Sequence, residues 1–239
     1  MNKRRFIDNM ATTIIITLIY TIYFYVVIKF IIENNMRISI NNITIDNIGT
    51  KLIGDFCLML LIPLILIVIN RKRLIEFKLQ FLYSCLQYIL IAIMVLLFFI
   101  HGDFTIRGYY KFFFFLVVVA FGEEFIFRGY VYNKLLIHNK IFAILISGFF
   151  WGILHAILPG LLVGDSIWQI GIRMLNEIGA GIVFGYYFIY LLEKSKSLFI
   201  PIFVHAILDY TIGYIGILTA IGTGIYLFIL DRKKIQEQL

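Results

Sequence analysis

The stretch YKFFFFLVVVAFGEEFIFRGYVY, Tyr110–Tyr132, decides the fold. A helix needs about 20 predominantly apolar residues to cross a bilayer, and this run is long enough. Yet its interior carries Glu123, Glu124 and Arg128. Each ionisable group at the centre of a membrane helix costs about 2.5–3.5 kcal/mol on insertion scales. The segment therefore reads as a membrane helix whose charges have a task.

Working outward, the rest of the chain has the same character. Of 239 residues, 62% are hydrophobic, about 148 positions, whereas an ordinary soluble domain has about 45–50%. A mean hydropathy of +0.95 with 15% charged residues excludes a soluble enzyme, a disordered chain and a fibrous protein. Roughly eight spans would fit, with no room for a separate soluble domain, so residues 1–239 are expected to form a single integral-membrane domain. The net charge of +7 fits positive residues gathered on cytoplasmic loops. No basic stripe with interleaved aromatics lies outside the apolar runs, so nucleic acid is not expected as a partner. Cys57 and Cys85 both lie in apolar stretches without a C-x-x-C pattern and read as packing residues.

The other runs are Ala11–Ile32, Leu52–Ile69, Phe81–Ile100, Ile141–Leu158, Trp168–Leu192 and Leu198–Leu230. The first exceeds the roughly 7–15 residues of a secretory signal core, and no small-x-small cleavage site follows it, so it reads as a retained helix. Alternate flanks hold Lys3–Arg5, Arg71–Arg73 with Lys78, Arg128 with Lys134 and Lys140, Lys194 with Lys196, and Arg232–Lys234, which is 15 of the 21 Lys and Arg. The positive-inside rule then puts both termini in the cytoplasm, which requires an even number of spans. Leu198–Leu230 should accordingly turn back near Gly213–Gly216. The expected fold is an all-α polytopic bundle of about eight transmembrane helices in the cell membrane.

Polar groups inside the helices form three sets. Glu123 and Glu124 point about 100° apart, whereas Glu124 and Arg128, four residues apart, share a face and can pair. Glu123 needs another partner or a proton, and a carboxylate in a dry site suits acid–base work near neutral pH. Trp151 and His155 share a face of the fifth helix. His205 and Asp209 are one turn apart on the seventh. Any one of these could be an inert polar contact between helices, but three sets on three helices are hard to explain by packing. Arg173, Asn176 and Glu177 read as a structural network, and Asp55 as a satisfied polar contact.

Together the three sets resemble the CPBP intramembrane proteases, the CAAX protease and bacteriocin-processing (Abi) family, which includes the type II CAAX prenyl endopeptidases. The family pattern is E-E-x-x-x-R, then F-x-x-x-H, then H-x-x-x-N/D. Here E-E-F-I-F-R matches at Glu123, Glu124 and Arg128, and H-A-I-L-D at His205 and Asp209, with the less usual Asp. His155 is in place, but Trp151 stands where the family usually has Phe. The resemblance spans about residues 110–210. It implies that Glu123 with His155 activates a water, that His205 and Asp209 stabilise the oxyanion, and that Glu124 and Arg128 orient the site. An ionised Asp209 cannot donate to an oxyanion, which sets it at odds with that role. The resemblance favours a metal-free site; the alternative is zinc on Glu123, His155 and His205, a His₂Glu set with an open position.

The expected function is hydrolysis of a peptide bond in a membrane-associated protein or peptide precursor, with the lipid bilayer as the other partner. A non-catalytic membrane scaffold or bacteriocin self-immunity protein, regulating a membrane partner, is the alternative. A proton-coupled transporter is a third reading, without the repeated halves that transporters show. At about 1.5 Å per helical residue, Glu123 lies roughly 16 Å from Lys134, His205 roughly 14 Å from Lys196 and His155 roughly 22 Å from Lys140. His155 thus reads as too deep, and the site is expected in the cytosolic half or near the midplane.

Overall fold

A computed structural model describes residues 3–211 and 213–236. The side chains of Lys3, Arg4, Arg5 and Lys234, used in the charge reading, lie outside the described residues, as does the backbone of Ile212. Among the described residues there is no strand, and eight longer helical runs follow one another, with short 3-10 helices at Ile40–Asn42 and Arg71–Phe77 between them. The longer runs are α1 (Lys3–Glu33), α2 (Ile48–Ile69), α3 (Cys85–His101), α4 (106–136), α5 (Lys140–Leu162), α6 (Ile167–Ser195), α7 (Phe199–Tyr210) and α8 (Tyr214–Gln236). Segments in α1, α2, α5, α6 and α8 are long and apolar enough to cross a membrane. The chain is thus an all-helical, multi-pass membrane protein.

Two of the remaining runs fall short of the sequence expectation. The α3 helix begins at Cys85 rather than near Phe81, because Ser84 caps it by accepting from the Gln87 N–H and the chain before the cap is not helical. The 12 residues of α7 reach only about 18 Å, against a hydrocarbon core of about 30 Å. The turn expected near Gly213 is present. Gly213 has φ +141°, which L side chains rarely adopt, and its missing Cβ lets the chain reverse into α8. Cys85 departs from its reading as a packing residue, since it is exposed at the start of α3.

The α4 helix is unbroken from 106 to 136, but its hydrogen bonding is irregular. Wider i→i+5 turns at Phe114–Phe121 and Phe125–Tyr132 flank the α-turn Gly122–Glu124. Such turns are rare and concentrate at functional sites.

The cation-rich flanks meet at one end of the bundle. There Lys140 Nζ and Tyr132 Oη both donate to Glu193, at 2.6 and 2.5 Å, and the Leu198 N–H reaches the Lys78 carbonyl at 2.9 Å. At the opposite end Lys51 pairs with Asp55 at 2.6 Å, and Tyr110 Oη donates to the same carboxylate at 2.8 Å. Asp55 is thus the satisfied contact the sequence suggested.

The closest helix pair is α5 against α6. A Cβ added at Gly181 would fall 2.5 Å from the Gly148 carbonyl, and one at Gly152 would fall 2.6 Å from the Glu177 carbonyl. Gly148 and Gly152 face Gly181 and Gly185, a small-residue spacing of four on both helices that lets backbones approach. Gly181→Ala is expected to cost about 1–3 kcal/mol by overpacking, read as a lower melting temperature in detergent. Gly179→Ala, where a Cβ meets nothing within 4 Å, should cause no loss.

Candidate functional site

The two glutamates of α4 turn to different partners, as their spacing requires. Glu123 Oε2 accepts a 2.6 Å hydrogen bond from the indole Nε1 of Trp151, and His155 Nε2 stands 3.9 Å from the same oxygen. His155 Nδ1 lies 2.9 Å from the Trp151 carbonyl. A carbonyl only accepts, so Nδ1 carries the proton, and in the neutral ring Nε2 presents its lone pair toward Glu123.

That bond also resolves the depth mismatch. Helical side chains lean toward the N-terminus of their helix, and the His155 ring is tied one turn back toward Lys140. One turn is about 5.4 Å, which brings the imidazole to the level of the Glu123 carboxylate. The two side chains meet.

Glu124 and Arg128 are both fully buried, with Glu124 Oε1 3.2 Å from Arg128 Nη1 and 2.8 Å from His205 Nδ1. The guanidinium lies over two aromatic faces, 4.6 Å from the Trp151 ring centroid and 5.1 Å from that of Phe188. These cation–π contacts accompany an arginine whose nitrogens make no well-aligned hydrogen bond among the described residues. Phe188 also stacks on His205 with ring centroids 5.1 Å apart. On the other side of that ring, Nε2 lies 3.4 Å from Asp209 Oδ2. Trp151 is therefore the hinge of the arrangement, since its N–H holds Glu123 while its face covers Arg128.

Two cavities adjoin these groups. The larger, about 640 Å³, has Tyr20, Glu123 and His155 in its wall and extends to Arg37, Lys51 and Lys111. The smaller, about 310 Å³, is lined by Trp151, Glu177, His205 and Asp209, and His155 borders both. The larger cavity extends to the end of the bundle opposite the cation-rich flanks. Depth along a helix locates a residue but not the opening that leads to it.

The structure brings together Glu123 with His155, and Glu124 and Arg128 with His205 and Asp209, but it does not gather all of them on one point. His205 turns Nδ1 to Glu124 rather than toward Glu123, and no group of three His, Cys, Asp or Glu side chains suited to a metal ion occurs among the described residues. Arg173, Asn176 and Glu177 are not one network, because Arg173 pairs with Asp165 while Glu177 lines the smaller cavity. Sequence reasoning passed over Tyr20 and Phe188, which belong to no motif. The signal for Tyr20 is positional: Thr13, Thr17, Tyr20, Phe24 and Ile28 make the buried stripe of α1 at helical spacing.

A helical membrane bundle that buries a glutamate–arginine–histidine cluster beside a glutamate–histidine pair defines a class of membrane-embedded acid–base site. Residues 105–211, a little under half of the chain, match the family model described as "Type II CAAX prenyl endopeptidase Rce1-like". The matched segment contains all three motifs, so the resemblance to the CPBP/CAAX protease family is shown. The chain matches no curated protein and no solved structure.

Proposed function

We propose that the protein is an intramembrane endopeptidase of the CPBP type that hydrolyses a peptide bond in a membrane-associated protein or peptide precursor, with both of its termini on the cytoplasmic side of the cell membrane. One observation carries this reading: Glu123 and the acceptor nitrogen of His155 stand 3.9 Å apart in the wall of a cavity large enough for a peptide segment. A water donating one hydrogen to each is held and made more nucleophilic. Its oxygen adds to the substrate carbonyl carbon while Glu123 takes the proton, and the carbonyl π electrons move to oxygen. Collapse of that oxyanion re-forms the carbonyl and breaks the C–N bond, and the proton on Glu123 passes to the departing amine. The water is activated by these side chains without a metal in this reading.

Glu124 orients His205, and Arg128 neutralises Glu124 in a site closed to solvent. On the side of the smaller cavity His205 is the group able to donate to the carbonyl oxygen, and an ionised Asp209 is not. Asp209→Asn adds an amide donor and is expected to raise turnover, by up to about tenfold, a fraction of the 10²–10³ that one well-placed oxyanion donor contributes. A fall of tenfold in that variant's kcat would remove the reading of Asp209 as the weaker substitute for Asn.

The proposal is tested by peptide analysis of cells carrying the wild-type protein or Glu123→Gln, with a precursor accumulating in the variant. The non-catalytic scaffold remains the second reading, favoured by the Trp151 N–H that occupies Glu123 Oε2. It requires an unchanged phenotype in Glu123→Gln, with loss only on changes to lipid-facing helix surfaces.

A further inference from the structure

We propose that Arg37 and Lys111 form an anion subsite at the far end of the larger cavity, selecting substrates with an acidic side chain about five residues from the scissile bond. This rests on the endopeptidase reading and gives it a substrate class. Six Lys and Arg side chains belong to the end of the bundle opposite the cation-rich flanks, and four of them have a carboxylate partner there. Lys29 pairs with Glu33 at 3.7 Å, Lys51 with Asp55 at 2.6 Å, Arg107 with Asp103 at 2.9 Å, and Arg173 with Asp165. Arg37 and Lys111 have no such partner among the described residues, and both line the cavity that holds Glu123 and His155. Asp46, the carboxylate left over at this end, does not line it.

Both cations are carried by ordered parts of the chain. Arg37 sits on the loop between α1 and α2, which gives residues 36–41 to the cavity wall. Asn47 fixes that loop, accepting from the Thr44 N–H at 2.8 Å and donating to the Asn42 carbonyl at 2.9 Å. Lys111 Nζ stands 5.3 Å from the Tyr210 ring centroid, a contact that leaves its ammonium donors without an oxygen. Asp55 is committed to Lys51 and the Tyr110 hydroxyl and leaves the two cations uncompensated. Much of the remaining wall is apolar, including Phe24, Ile28, Leu58, Phe114, Phe115 and Leu158. A peptide whose carbonyl lies at Glu123 thus runs along apolar surface and ends in positive potential. Positions 111 and 123 are 12 apart on the unbroken α4, which is about 18 Å at 1.5 Å per residue. An extended chain covers that span in about five residues.

The test uses quenched fluorescent dodecapeptides of leucine and alanine, blocked at both ends, with a single Asp, Asn or Lys moved through the positions. They are offered to wild type, Arg37→Glu/Lys111→Glu and Glu123→Gln in phosphatidylcholine nanodiscs. Wild type should cleave Asp peptides with kcat/KM about three- to tenfold above Asn peptides, the scale of two partly exposed ion pairs. The gain should be confined to Asp about four to six residues from the cut, and it should shrink as salt is added. The charge reversal should transfer the preference to Lys peptides. A purely structural role would instead lower cleavage of all three peptides alike, together with the melting temperature. Arg37→Gln/Lys111→Gln keeps the test open if the reversal does not fold, and should treat Asp and Asn peptides equally. An Asp preference that survives these changes, or is absent in wild type while Glu123→Gln is inactive, overturns the subsite and leaves the peptidase reading standing. Cleavage by Glu123→Gln at the wild-type rate overturns the peptidase reading. Fluorescence anisotropy with Glu123→Gln reads the subsite without turnover, and equal affinity for Asp and Asn peptides rejects it. Cleavage that falls equally for all peptides in phosphatidylglycerol nanodiscs, with no Asp preference in phosphatidylcholine, gives the cations to lipid headgroups and overturns the proposal as well.

Discussion

Glu123→Gln is expected to lower peptide-bond hydrolysis by about 10³–10⁴-fold, the upper part of the range for a positioned general base, while leaving the fold intact. The amide oxygen of Gln can still accept from Trp151 Nε1, which bonds Glu123 at 2.6 Å, so packing around the indole and its contact with Arg128 persist. What is lost is the proton acceptor. Gln cannot take a proton from water at any physiological pH, and His155, with its Nδ1 proton held by a carbonyl, has only Nε2 left to act alone. His155→Ala should also abolish processing by removing the second acceptor for the water. The measurement is mass spectrometry of membrane and secreted peptides, with purified protein checked for an unchanged melting temperature. Full processing by a well-folded Glu123→Gln protein would sink the catalytic assignment in favour of the scaffold.

The largest effect on stability is expected at the buried pair beside it. Glu124→Leu leaves the Arg128 guanidinium fully buried without its carboxylate, and removing one partner of a buried ion pair costs about 3–5 kcal/mol. Arginine cannot escape by losing its proton. Arg128→Leu should be milder, because Glu124 keeps its 2.8 Å bond to His205. The double variant Glu124→Leu/Arg128→Leu should then be more stable than Glu124→Leu alone, since no uncompensated charge remains. Thermal unfolding in detergent, with folded yield from size-exclusion profiles, decides the order. Equal loss in the two single variants would mean that the aromatic faces of Trp151 and Phe188, 4.6 and 5.1 Å from the guanidinium, carry Arg128 without help from Glu124.

Much of the architecture was legible because it is local. Apolar runs separated by cations place the helices, and Gly213 marks the reversal between α7 and α8. The α4 charges were legible for the same reason. Glu124 and Arg128 are four apart on one helix, so spacing alone predicts their contact, and Glu123, one residue away, had to find a partner elsewhere. What escaped were features governed by capping and bonding outside the apolar pattern. The late start of α3 at Cys85 is one, and the wide turns that flank Gly122–Glu124 in α4 are another.

The sequence by itself determined a helical membrane protein with three polar sets and one intrahelical ion pair, because hydropathy, charge and helical periodicity act over a few residues. Tertiary structure decided which of those sets meet. Trp151 reaches Glu123 across 28 residues and His205 reaches Glu124 across 81. These contacts depend on how far helices rotate and how closely they cross, which packing between neighbours sets. The same packing divides the site between two cavities, opens the larger toward the end opposite the cation-rich flanks, and sets Tyr20 of α1 in its wall.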